Sequence, residues 1–241
     1  MPKKNLAIRA KSYLEYLYFD HLVPAIYPYT SKLRAKLSVD NIVHVVGDSH
    51  TQAFKYQYPF IVHHLGAATA YNLDTLSSTT RSREQLEEVA TSIDPSSESV
   101  LLVFGEIDCR IHIYNQYRKL HKDVSISTLI NKTIESYGSA MARLKSKNIK
   151  FYVLSVAPAG SQPNVYNYKY YGSFKQRAII HKLFNEELQK YCQLHNYPYL
   201  DLYKKIVDDR GGVKSAYLLD ELHINTKSVD IVKQLILGLH N

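Results

Sequence analysis

The stretch HVVGDSHTQAF, from His44 to Phe54, decides how the rest of the chain is read. An apolar, β-branched run stops at Gly47, and Asp48, Ser49 and His50 then stand side by side before a helix-like segment. A strand that passes through a tight turn into a helix is the repeating unit of a parallel α/β sheet. The serine at such a turn is either a helix cap or an exposed nucleophile, and the rest of the sequence has to choose between them.

Outward from that turn, apolar runs recur at residues 60–65, 99–104, 149–156 and 197–200, which with 42–46 make five predicted strands. Between them, residues 82–93, 127–147, 174–195 and 226–240 carry apolar side chains at helical spacing, the first two with a Ser or Thr near the start suited to capping. Strands alternating with helices predict an α/β fold: a three-layer αβα sandwich around a central five-stranded parallel sheet. At 241 residues the chain is long enough to bury a substantial core, and 45% hydrophobic with 22% charged residues is ordinary globular usage. Residues 1–40 stand outside the alternation and read as a basic helical extension broken at Pro24 and Pro28, leaving 41–241 as the α/β domain.

In an open parallel sheet, ligands bind beyond the carboxyl ends of the strands. Four stretches fall there: Gly47-Asp48-Ser49-His50, LGAATAYN (65–72), FGEIDCRIH (104–112) and, near the C-terminus, LLDELHIN (218–225). Asp220 and His223 are three residues apart, so one short turn can hold a carboxylate against an imidazole, fixing its tautomer and stabilising the imidazolium. The third member of such a set is a hydroxyl, and Ser49 supplies it. Asp48 adjoins that serine and is expected to bind loop amides rather than the imidazole. His50 reads equally as a neighbour of the site or a substrate-facing group. Glu106, Asp108, Arg110 and His112 form either a buried ion-pair network or a substrate contact. His63 and His64, adjacent in a strand, point to opposite faces, which argues against a joint metal site.

These four blocks together resemble the SGNH (GDSL-like) hydrolase superfamily: GDSH is similar to its first block, LGAAT to its second, GEID to its third and DELH to its last. The resemblance runs from about Ile42 to the C-terminus. It implies a flavodoxin-like sandwich and a serine esterase or acyltransferase working through an acyl-serine intermediate without a metal or cofactor. Ser49 is then the nucleophile, His223 the general base and acid, and Asp220 its orienter, with the amides of Ser49 and Gly66 facing the oxyanion. The third block departs from the family pattern Gly-x-Asn-Asp, because Ile107 stands where an Asn side chain donates to the oxyanion. Arg110 is the candidate replacement, or else a ligand for an acidic substrate group.

The expected substrate is a small-molecule or glycan ester, O-acetyl carbohydrate foremost, with an acyl donor if the reaction is transfer; a catalytically impaired binding module or a basic adaptor is the alternative. The net charge of +8 is uneven, since residues 1–40 hold seven Lys or Arg against three acids. No nucleic-acid signature accompanies that segment, and nucleic acid is not an expected partner. Tyr is abundant, with 21 copies and no Trp, and a loop at 157–173 carries Tyr166, Tyr168, Tyr170 and Tyr171, which either present rings to a sugar or acyl group or pack on the N-terminal helices. Cys109 and Cys192 are too few for a disulfide framework. Arg9, Lys11 and Glu15 interrupt what a signal peptide needs as an apolar core, and no window reaches the ~18 apolar residues of a membrane span. The expectation is a cytoplasmic protein.

Overall fold

The computed structural model describes residues 22–38, 41–121, 123–160 and 169–239, without the side chains of 35–38. Residues 1–21 of the expected extension, with Tyr166 and Tyr168, lie outside the described residues. The extension is represented by helix α1 (Val23–Ser38). Strand β1 (Ile42–Gly47) follows, then a 3-10 turn (Ser49–Phe54) and β2 (Phe60–His64). Next come a second 3-10 turn (Tyr71–Asp74), helix α2 (Ser82–Ser92) and β3 (Glu98–Val103). A π-helical segment (Asp108–His112) runs into α3 (Ile113–Lys119), followed by α4 (Ile126–Ser146) and β4 (Lys150–Leu154). Helix α5 (Phe174–His195), β5 (Tyr199–Leu200), α6 (Leu202–Ile206) and α7 (Thr226–Leu237) complete the order.

All five strands are parallel, in the order β2-β1-β3-β4-β5. Both faces are covered, so β1 and β3 are buried at every position and are mostly apolar, with His44, Glu98 and Ser99 as the buried polar exceptions. Alternation along β1 sends Val46 into a core with Val100, Leu102 and Val153 under α2, α4 and α5, where Leu86, Ile134, Tyr137 and Phe184 close the packing. Val43 and Val45 face the opposite layer with Leu101 and Val103, covered by Ala53 and Phe54 of the first turn, Leu202 and Ile206 of α6, and Val229 and Val232 of α7. Each such aliphatic side chain contributes roughly 1.5–3 kcal/mol when fully buried, which is what holds the three layers together.

Helix ends follow from local chemistry. Ser173 caps α5 in a reciprocal capping box with Gln176, and Asn196 ends it in the left-handed region. Helix α1 packs against β1 and β2, and Lys32 Nζ meets Glu98 Oε1 at 2.7 Å. The other Glu98 oxygen lies 3.3 Å from His44 Nε2, whose Nδ1 meets His63 Nε2 at 2.8 Å; burial pushes His63 down to about 4, so its ring is neutral.

The strand order places β1 between β2 and β3. The chain leaves β1 toward β2 on one side and returns across it to β3 on the other, which opens a crevice beyond the end of β1. Gly47 sits there, paired with both His64 and Val103. A Cβ at Gly47 would lie 1.8 Å from the Val103 carbonyl oxygen, so only glycine lets the two strands close at this point.

Candidate active site

The turn after β1 is a 3-10 helix rather than the start of an α-helix, and it is capped by Asp48, not by Ser49. The Asp48 carboxylate accepts the His50 N–H at 2.9 Å, and its carbonyl accepts the Thr51 N–H and Oγ1–H at 3.1 and 2.7 Å. Six residues are too few to build a macrodipole, so stabilisation of negative charge here falls to individual N–H groups. The Ser49 hydroxyl is left free of capping duty. It lies 2.9 Å from His223 Nε2.

His223 comes from a hairpin closed by a bridge between Leu218 and Ile224, with Leu219 N–H donating to the His223 carbonyl at 2.8 Å. Asn225 caps α7 through its Oδ1 and pins the same hairpin by donating from Nδ2 to the carbonyls of Ala216 and Leu218, at 3.0 and 3.1 Å. Within the hairpin, Asp220 Oδ1 accepts the N–H groups of Leu222 and His223, both at 2.7 Å, and Oδ2 lies 2.7 Å from His223 Nδ1. Partial burial alone would raise the Asp220 carboxyl; the His223 amide and ring and the Leu222 amide outweigh that and hold it below its ordinary value. An ionised carboxylate only accepts, so Nδ1 carries the His223 proton and Nε2 presents its lone pair to the Ser49 O–H.

Beyond β2, Gly66 adopts φ +69°, a conformation glycine enters without strain. Among the described residues, neither the Ser49 nor the Gly66 N–H is taken by another hydrogen-bond acceptor. Beyond β3, Ile107 is buried and its side chain offers no donor. Asp108 turns the other way: its carboxylate accepts the N–H groups of Ala70 and Tyr71 at 2.7 and 3.3 Å, tying the loop after β2 to the one after β3. Burial outweighs those amides and pushes the Asp108 carboxyl up to about 7.

Arg110, the sequence's candidate oxyanion donor, is not brought against Ser49 or His223 by any hydrogen bond among the described residues. Its Nε donates to Glu106 Oε1 at 2.6 Å and its NH1 to the Lys169 carbonyl at 2.7 Å. The cause is the helical turn itself, which sets residues four apart on one face, together with a burial that obliges the guanidinium to keep a counter-charge. The Tyr170 ring lies over both Arg110 and Arg177, centroid distances 5.5 and 4.5 Å, so this tyrosine of the long loop packs on arginines. His112 joins Thr69, Tyr71, Asn72, Gln116 and Lys132 in the wall of a cavity of about 450 Å³. Ser49 and His223 are not in that wall; it starts at Thr69 and Asp108, beside the loops that carry Gly66 and Ile107.

Asn225 and His50 are the residues sequence reasoning left without a definite role. The signal for Asn225 was its place just before a helix, where Asn is a favoured cap. Among the described residues no group of three or more His, Cys, Asp or Glu side chains is arranged to hold a metal ion, and no helix is long and apolar enough to cross a membrane.

The sheet order is that of a flavodoxin-like three-layer αβα sandwich, and solved structures carry the same architecture. A GDSL-like lipase from Bacteroides thetaiotaomicron VPI-5482 superposes with a TM-score of 0.58 at 17% identity, over 84% of this chain and 88% of that one. An acetyl xylan esterase aligns with a TM-score of 0.50 at 17% identity, over 82% of this chain and 98% of that one. The psychrotrophic esterase EstA from Pseudoalteromonas sp. does so with a TM-score of 0.50 at 14% identity, over 84% and 100%. The sequence matches no protein-family model and no curated protein sequence. At these identities the likeness is one of fold.

Proposed function

We propose that the protein is a serine-dependent ester hydrolase or O-acyltransferase. The observation that carries this reading is the relay from Ser49 Oγ to His223 Nε2 at 2.9 Å and from His223 Nδ1 to Asp220 Oδ2 at 2.7 Å. As Ser49 Oγ attacks the ester carbonyl, its proton passes to His223 Nε2, and the tetrahedral oxyanion faces the N–H groups of Ser49 and Gly66. His223 gives the proton to the departing alcohol, and the acyl group stays on Ser49. His223 then deprotonates water or a second alcohol, which takes the acyl group and frees the serine. A site lacking one of three oxyanion donors loses about 10²–10³ in rate, so turnover slower than that of a three-donor enzyme is part of this reading.

The proposed substrate class is an O-acylated, foremost O-acetylated, carbohydrate. It is supported by the cavity beside the site, whose wall combines an aromatic ring, Tyr71, with hydrogen-bonding side chains such as Asn72, Gln116 and Lys132, over an apolar floor that includes Ile113 and Leu129. The solved acetyl xylan esterase of the same fold is in keeping with it. Incubation with p-nitrophenyl acetate and a fluorophosphonate probe, beside Ser49→Ala, tests the chemistry: labelling and turnover confined to the unmutated protein are expected. Glycan acceptors separate transfer from hydrolysis, since only transfer adds one acyl mass to the acceptor.

The buried Ile107 favours a second reading, a binding module that has kept the fold and lost turnover. That reading predicts glycan binding without labelling of Ser49.

A further inference from the structure

His50 is buried between the two halves of the site and takes no part in the relay. Its Nε2 lies 3.3 Å from the carbonyl oxygen of Leu222, the residue before His223, and its Nδ1 lies 3.4 Å from Asp48 Oδ1. Its ring centroid is 5.3 Å from that of His223. We propose that His50 is a positioning residue, a charged strut between the Asp48 carboxylate and the Leu222 carbonyl that fixes the hairpin bearing His223 against the turn bearing Ser49. The proposal rests on the serine-hydrolase reading above.

The geometry selects the charged form of the ring. A carbonyl only accepts, so Nε2 must carry a proton. If the ring were neutral, Nδ1 would then carry a lone pair 3.4 Å from the Asp48 carboxylate, an unfavourable proximity inside a buried site. With both nitrogens protonated, Nε2 donates to Leu222 and the charged ring attracts the Asp48 carboxylate at 3.4 Å, without a hydrogen bond between them. Charged and titratable groups surround the ring from every element packed on it: Asp48 from its own turn, Glu106 from the end of β3, Arg110 from the π-helix, His181 from α5 and His223 from the hairpin. Burial pulls the His50 imidazole down, the neighbouring Asp48 and Glu106 carboxylates push it up against Arg110, and the balance lies above the ordinary histidine value. His181 is pushed down to about 4 by burial and adds no charge at neutral pH.

Two consequences separate a strut from a passive core residue. Activity should fall as pH rises through the His50 value, because loss of the Nδ1 proton turns the Asp48 contact repulsive and loosens the hairpin. A side chain with an amide donor near the Nε2 position should keep the hairpin in place without that alkaline limb.

The test compares His50→Leu and His50→Gln with the unmutated protein, reading kcat and KM against pH on p-nitrophenyl acetate. His50→Leu is expected to lower kcat by about 10²-fold with KM unchanged, the scale of a small misplacement of catalytic groups. His50→Gln is expected to recover most of kcat and to lose the alkaline limb while keeping the acid one. A His50→Leu protein with unmutated kcat, or an alkaline limb that survives in His50→Gln, overturns the proposal. Should His50→Leu fail to fold, the pH profile of His50→Gln decides alone. Amide hydrogen exchange at Leu222 and His223 needs no turnover. Faster exchange in His50→Leu upholds the strut even if the unmutated protein proves inactive, and unchanged exchange overturns it.

Discussion

The hydroxyl of Ser49 is available to His223 because the neighbouring carboxylate does the capping. Ser and Asp are interchangeable in that duty, and here Asp48 has taken it, with His50 N–H at 2.9 Å. Asp220 plays a different part, setting which nitrogen of His223 holds the proton. An Asn at that position would offer a donor where the ring N–H needs an acceptor, and the imidazole would settle in the wrong tautomer. Asp220→Asn is therefore expected to lower kcat by about 10⁴-fold with the fold intact, checked by steady-state kinetics beside circular dichroism. The same carboxyl sits below its ordinary value, so it adds stability above its unfolded value and loses it as pH falls through the folded one. At this scale the sequence was informative about Ser49, Asp220 and His223, whose chemistry is carried by residue type and spacing. For Arg110 it left an ion pair with Glu106 and a substrate contact both open, because whether a guanidinium faces a substrate or a buried carboxylate depends on tertiary packing.

Among the elements, the junction of β1 and β3 tolerates least change. Gly47→Ala would drive a methyl group into the Val103 carbonyl and separate the two strands. A loss of roughly 1–3 kcal/mol or more is expected in urea unfolding, with Ser49 displaced as the crevice opens. The loop contact through Asp108 gives a second expectation with a definite sign. Its folded value of about 7 stands above the model-peptide value of 3.8, so its contribution to stability is fully present at low pH and is lost as pH rises through 7. Urea midpoints measured from pH 4 to pH 8 should fall over that window and flatten in Asp108→Asn. The strands were legible because their β-branched apolar runs are too short for helices and are bounded by turn residues. Their ends were less so: β4 stops at Leu154 since the Val156 N–H is captured by Asn185 Oδ1 at 2.7 Å, a partner 29 residues away in sequence. The sequence reading assigns no element to the π-helix and α3, although Glu106 and Arg110 four apart are a helical signal.

For the whole molecule, strand order was not legible at all from the alternation alone; it is the order β2-β1-β3-β4-β5 that puts the serine turn in a crevice. The net charge of +8 is a property of the same scale. It attracts anions over distances comparable to the Debye length, ~8–10 Å at physiological salt. An ester bearing a carboxylate should therefore show kcat/KM that falls as salt is raised from low to physiological ionic strength, while a neutral ester of the same leaving group should show little change. Stopped-flow acylation rates across a salt series check both.

Ser49 and His223 meet across 174 residues of sequence. During synthesis, a chain made only as far as β4 already contains Ser49 and the amides of Ser49 and Gly66, yet lacks His223, the base of the proposed relay. Under the proposed function, chemical competence of the serine thus arrives last, when the C-terminal hairpin docks on an assembled sheet. Fluorophosphonate labelling is then a clock for the final step of folding, and partly made or proteolytically shortened chains are chemically silent.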